Sequence, residues 1–197
     1  MTTITPDEMK SLETLFMSET GTPSILLMEH AAQGVAAAIA RHAPKSARVL
    51  FLCGPGNNGG DGYAAARLWC SGGGQADVWE VTSAVRGDAL TNRTLALLHG
   101  VRVLPSADAV DVAEYAAVVD ALYGTGLNHA IEGDAAILIH RLSDHPQIPV
   151  IAVDIPSGLD GTTGRALGAD VVRAAETVTF HRIKQGLLLR LSSSDRN

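Results

Sequence analysis

The apolar run Val49-Leu-Phe-Leu-Cys53, closed by Gly54-Pro-Gly-Asn-Asn-Gly-Gly-Asp-Gly62, constrains this chain more than any other stretch. Its apolar residues do not alternate with polar ones, so both faces must be covered, the situation of a strand inside a parallel sheet. Further strands are expected at 76–81, 101–104, 117–120, 150–153 and 177–180. Helices are expected between them near 61–70, 86–99 and 134–142, with Gly72 to Gly74 and Gly100 at their C-caps. Alternating strands and helices predict an α/β, Rossmann-like doubly wound fold, its sheet mainly parallel and covered by helices on both faces.

An N-terminal helical pair precedes the first strand. Thr5 followed by Pro6, Asp7 and Glu8 reads as a helix start, with a hydroxyl cap, proline at the first position and acids in the first turn. The second helix, expected over 24–43, carries Met28, Ala32, Val35 and Ile39 on one stripe. Its alanines allow a close neighbour, either the core or a second copy of the chain. A length of 197 residues fits one domain, taken as 1–189, and the serine-rich 190–197 reads as a disordered tail.

Composition narrows the classes of function. A net charge of −6 argues against a phosphate-tracking nucleic-acid surface. Cys53 and Cys70 have neither CxxC nor zinc spacing and read as small buried residues. The N-terminus has no basic region leading into an apolar stretch. No run approaches the roughly 20 apolar residues that span a bilayer. The expectation is a soluble cytoplasmic protein with no nucleic-acid or membrane partner.

Three loops that follow strands carry the chemical signal. The first, Gly54 to Gly62, contains a nominal GxGxxG at Gly54, Gly56 and Gly59, with Glu80 about 20 residues further on. Asp61 would then stand at a helix N-terminus and repel a pyrophosphate there. A plain glycine-rich turn is the alternative. The second loop, Asp120-Ala-Leu-Tyr-Gly-Thr-Gly-Leu127, can wrap a phosphate with backbone N–H groups, Thr125 adding a hydroxyl. The alternative is that Asp120 merely caps the following turn. In the third, Asp154-Ile-Pro-Ser-Gly158, an acid again closes a strand, and Ser157 is not in a nucleophile elbow. Asp120 and Asp154 should meet in one crevice, where two acids need hydrogen bonds or a cation. Oxygens of Asn58, Asp120 and Ser157 would suit a hard monovalent cation better than zinc. None of the seven histidines forms a metal-ligand pair at helical spacing.

Together these loops resemble the NAD(P)H-hydrate epimerases, the family of the YjeF N-terminal domain. The resemblance runs from Leu26-Leu-Met-Glu29 through the three loops to Thr177-Val-Thr-Phe180. It implies an enzyme, commonly a homodimer, that interconverts the R and S forms of hydrated NADH and NADPH (NADHX and NADPHX). A separate ATP- or ADP-dependent dehydratase would then act on the S form. The resemblance also implies that Asn57, Asn58, Gly59, Gly60 and Asp61 contact the dinucleotide. Gly124, Thr125, Gly126, Leu127, Asn128, His129 and Ala130 would bind its phosphates, and Asp154 would reach the substrate. Asn58, Asp120 and Ser157 would hold a potassium ion. Epimerisation requires proton transfer, for which a carboxylate at a strand end is suited, and Asp154 is the expected catalytic group.

Three positions, in two motifs, depart from the family pattern. Leu27-Met-Glu-His-Ala-Ala32 replaces the usual Leu-Met-Glu-Asn-Ala-Gly, and His129 stands where an arginine is common. The segment 181–189 resembles the point where longer relatives continue into a dehydratase domain. Two other functions compete. One is a non-catalytic binding module of the same fold, which would be expected to lose the site acids. The other is an NAD-dependent oxidoreductase using the first loop and Glu80, for which no hydride-acceptor site is evident.

Overall fold

A computed structural model describes residues 2–194, and side-chain environments through residue 190. Helix α1 (Pro6–Thr20) begins with the capping box anticipated from Thr5. The Glu8 N–H donates to Thr5 Oγ1 at 3.3 Å, and the Thr5 N–H donates to Glu8 Oε2 at 2.8 Å. The helix ends at Gly21, whose φ of +68° is the left-handed conformation of a C-cap. Helix α2 (Ser24–His42) buries Met28, Ala32, Val35, Ala38 and Ile39. Except for Met28, these join one core cluster with Phe51, Cys53, Ala64 and Val119, so the alanine stripe serves the core.

Six strands follow: β1 (Arg48–Cys53), β2 (Gln75–Glu80), β3 (Arg102–Val103), β4 (Ala117–Ala121), β5 (Val150–Val153) and β6 (Glu176–Val178). They form one sheet in the order β3-β2-β1-β4-β5-β6, and every neighbouring pair is parallel. Among the described residues, helices α3 (Asn57–Ser71), α4 (Gly87–Leu98), α5 (Gly133–Ser143) and α6 (Gln185–Ser194) accompany these strands. Residues of α2, α3 and α4 pack on one sheet face, and those of α5 on the other. This is the doubly wound, two-faced α/β arrangement expected from the alternation.

The structure departs from the reading of the first loop. Helix α3 begins at Asn57, not near Asp61, so two asparagines and two glycines of that loop form its first turn. Glycine disfavours a helix by about 1 kcal/mol against alanine, but contacts override that preference here. A Cβ on Gly59 would lie 2.0 Å from the Gly54 carbonyl oxygen, and one on Gly60 2.7 Å from the Met28 methyl. Asp61 therefore sits a turn inside, and the first turn of α3 carries no acid. The objection that Asp61 repels an anion at this N-terminus no longer holds.

At the other end, α6 runs to Ser194, so residues 190–194 of the expected tail are helical and 195–197 lie outside the described residues. Gln185-Gly-Leu-Leu-Leu189 starts the helix with Leu187 buried, and the serines continue it. Cys53 is buried as expected, whereas Cys70 is half-buried.

Candidate active site

Leaving β1 the chain winds outward through β2 and β3, and leaving β4 it winds the opposite way through β5 and β6. The C-terminal ends of β1 and β4 thus flank the topological switch point, where doubly wound sheets bind ligands. The loops there are locked by backbone contact. The Gly54 N–H donates to the Ala121 carbonyl at 2.9 Å. A Cβ on Gly54 would come within 1.7 Å of the Leu122 oxygen, and one on Gly62 within 2.6 Å of the Ala121 methyl. These glycines bring α3 close to the sheet and so set Asn58 beside the β4 loop.

Asp120 and Ser157 are fully buried. Ser157 donates to both oxygens of the Asp120 carboxylate, from its N–H at 2.8 Å and from its hydroxyl at 2.6 Å, while Leu122 N–H adds a contact at 3.3 Å. The same hydroxyl accepts from Tyr123 N–H at 2.9 Å, tying the second and third loops together. Burial pushes the Asp120 carboxyl up to about 6, against the three hydrogen bonds that favour its ionised form.

Asn58 stands on the other side of this junction. Its amide nitrogen is buried and has no hydrogen-bond partner. Its amide oxygen faces Gly124, where a Cβ would come within 3.1 Å. Carboxylate, hydroxyl and amide oxygens are a hard donor set. With a buried carboxylate beside a hydroxyl and an amide oxygen, the residues fit a monovalent cation. Among the described residues, no group of three or more His, Cys, Asp or Glu side chains assembles for a metal.

The segment Gly124–Ala130 turns tightly, Leu127 N–H donating to the Gly124 carbonyl at 3.2 Å. Leu127 is buried and anchors the loop, while Gly126, Asn128 and His129 are exposed. The His129 ring nitrogen Nδ1 is 2.8 Å from the Ala130 carbonyl.

Asp154, immediately after β5, adopts φ +68°, a left-handed conformation rare outside glycine. Its backbone N–H donates to Val178 O at 2.8 Å, and its Oδ1 lies 2.5 Å from the Lys184 ammonium. Lys184 is only 1% exposed and also donates to the Phe180 carbonyl at 3.1 Å. The N-terminal segment pins it: Ile4 bridges Lys184, and Gln185 N–H donates to Ile4 O at 3.0 Å. The half-buried Asp61 lies within electrostatic reach. Its carboxyl is held well above the usual range, first by burial and then by the charges of Asp154 and Glu13, with Lys184 opposing.

Comparison with known proteins fits this geometry. Residues 24–186 match the family described as YjeF-related protein N-terminus. The chain belongs to this family. An NAD(P)H-hydrate epimerase of Weissella koreensis is 35% identical over 94% of this chain and 83% of its own length. A bifunctional NAD(P)H-hydrate repair enzyme of Thermanaerovibrio acidaminovorans is 38% identical over 85% of this chain, which spans 34% of that protein. The crystal structure of the yeast protein ynu0 superposes with a TM-score of 0.84 at 23% identity, covering 94% of this chain and 83% of the other. That likeness shows the shared fold.

For a member of the YjeF-related family, the helical motif acquires a physical role here. Met28 packs on Gly60, and Glu29 pairs with Arg67 of α3, so the motif clamps α2 onto the helix that presents Asn58 and Asp61. The expected site residues sort into two groups. Asn58, Asp120 and Ser157 converge around the Tyr123–Gly124 junction. Asp154 and Asp61 share a neighbourhood with Lys184. Lys184 escaped the reading of the sequence, because a lone lysine in a basic segment resembles surface. Glu80 is committed to the protein, accepting from Arg93 at 2.7 and 2.8 Å and from Tyr63 OH at 2.7 Å. Among the described residues, no helix is long and apolar enough to cross a membrane.

Proposed function

We propose that this chain interconverts the R and S forms of hydrated NADH and NADPH in the repair of nicotinamide cofactors. One observation carries the reading beyond family membership: two carboxylates in unlike environments lie within electrostatic reach of each other and of Lys184. Asp154 is compensated by the buried Lys184 ammonium, while burial and neighbouring acids raise the Asp61 carboxyl well above its usual range. Such a division is how one site supplies both an acid and a base.

In the proposed reaction, protonated Asp61 gives its proton to the hydroxyl on the hydrated ring carbon. The C–O bond breaks as the ring nitrogen supplies its electron pair, and water leaves. Water then adds to the opposite face, and Asp154 takes the proton released. A proton then passes from Asp154 back to Asp61 through solvent and restores the starting state, so atoms and charge balance over the cycle. In the reverse direction the two groups exchange roles. Lys184 is a positioning residue that fixes the Asp154 carboxylate. Asn58, Asp120 and Ser157 would hold a potassium ion, which supplies positive charge beside the substrate. The first turn of α3, with Asn57, Gly59 and Gly60, and the Gly124–Ala130 loop would receive the dinucleotide and its phosphates.

The same reading includes a homodimer, for which α1 offers an exposed apolar face in Leu12, Leu15 and Phe16. It also places the protein in the cytoplasm and leaves dehydration of the S hydrate to an ATP- or ADP-dependent dehydratase. The deciding experiment supplies pure R hydrate with an independent dehydratase and follows recovered NADH absorbance, with potassium present. Acceleration over spontaneous epimerisation supports the reading. Its absence moves the non-catalytic binding module ahead.

A further inference from the structure

Between the end of β2 and the start of α5 lies a cleft of about 410 Å³, within the range of small-molecule sites. Val81, Pro105 and Tyr123 line it with apolar surface and an aromatic ring, and Glu80, Glu132 and Asp134 contribute carboxylates. Tyr123 links the cleft to the site already described. Its N–H is bonded to the Ser157 hydroxyl, and the next residue is Gly124. Asp154 beyond β5, the Gly124 loop beyond β4 and this cleft beyond β2 therefore form a row along one edge of the sheet. Strands lie about 4.8 Å apart, so β5 to β2 is roughly 14 Å, a span that an extended dinucleotide covers from ring to base.

We infer that this cleft holds the adenosine half of the hydrated dinucleotide with its ribose 2′-hydroxyl unphosphorylated, so that the protein favours NADHX over NADPHX. The inference rests on the epimerase reading. A purine offers flat apolar faces to Val81, Pro105 and Tyr123, and ribose hydroxyls donate to carboxylates. The charge of Glu80 is already met by Arg93. Glu132, at the N-cap of α5, and Asp134, in its first turn, are exposed, and among the described residues neither has an ion-pair partner. No lysine or arginine lines the cleft. A 2′-phosphate brings close to two negative charges, and two uncompensated carboxylates would repel it. The hydroxyl meets no such barrier.

The test compares kcat/KM for the R hydrates of NADH and NADPH. The wild type is expected to favour the NADH form by about tenfold or more. The double variant Glu132→Gln/Asp134→Asn should bring the ratio towards unity by improving use of the NADPH form. A wild-type ratio near unity, or one that the variant leaves unmoved, overturns the inference while the epimerase reading stands. Turnover of neither hydrate overturns the epimerase reading instead. Calorimetric titration with AMP and with 2′,5′-ADP decides the cleft independently of turnover. AMP should bind, 2′,5′-ADP should bind about tenfold more weakly, and the gap should close in the double variant. Equal binding of the two probes, or no AMP binding at concentrations on the order of millimolar, removes the adenosine assignment.

Discussion

Ser157 grips both oxygens of Asp120, the hydroxyl donating to one at 2.6 Å and the backbone N–H to the other at 2.8 Å. The pair joins β4 to the loop after β5, and it does so in full burial. Three hydrogen bonds favour the ionised carboxylate, yet burial outweighs them and leaves the carboxyl at about 6. An acid raised this way is a poor permanent charge and a good partner for a cation.

A linkage between pH and stability follows. A carboxyl raised on folding stabilises the folded state fully below its unfolded value, and that contribution is lost as pH rises through the folded value. A rise of about two units corresponds to about 3 kcal/mol. In potassium-free buffer the urea midpoint should therefore fall between about pH 4 and pH 7. Potassium favours the ionised form, so it should restore much of the stability at pH 7 and little at pH 4. Equal midpoints with potassium and with tetramethylammonium at pH 7 would count against the cation site.

Much of this frame was legible beforehand. The apolar run 49–53 forced a two-sided strand, and acids closing the runs 117–120 and 150–153 marked the crevice. What stayed hidden depended on contacts between distant segments. Asn57 to Gly60 look like a loop until Gly54 and Met28 are seen pressing on the glycines. Lys184 looks like surface until Ile4 pairs alongside it and Asp154 is found within 2.5 Å. Periodicity within one segment carries no record of such pairings.

Asp154→Asn should lower epimerisation by about 10² to 10⁴. It should also destabilise the fold, by about 3 kcal/mol or more, because buried Lys184 then faces a neutral amide. The double variant Asp154→Asn/Lys184→Met removes both charges and should recover most of the stability without recovering the rate. A coupled NADH-recovery assay and urea unfolding separate the two effects. Near-wild-type turnover by folded Asp154→Asn would exclude it as the proton-transfer group.

Asp61 predicts the alkaline side of the pH–rate profile. Burial and the neighbouring acids raise its carboxyl well above the usual range, so in the proposed reaction activity should decline as pH rises through that raised value and the acid ionises. Asp61→Asn should lose about 10² or more in rate and abolish that alkaline decline. The readout is kcat across pH 6 to about 9 for both proteins. An alkaline limb that persists in a slow Asp61→Asn protein would assign it to another group.

The glycines at the switch point offer a graded test of how closely the loops must approach. Gly56→Ala should be nearly neutral, since its Cβ would meet nothing within 4 Å. Gly124→Ala places a methyl 3.1 Å from the Asn58 amide oxygen, a side chain that can yield. It should cost under about 1 kcal/mol in stability while weakening potassium and dinucleotide binding. Gly54→Ala drives its methyl to 1.7 Å from the Leu122 carbonyl, backbone that cannot move without separating β1 from β4. That variant should lose about 3 kcal/mol or more, or fail to fold. Urea midpoints for the three proteins, read beside potassium titrations of those that fold, give the ordering. If Gly54→Ala were as stable as Gly56→Ala, the loop contact could not be what holds the crevice closed.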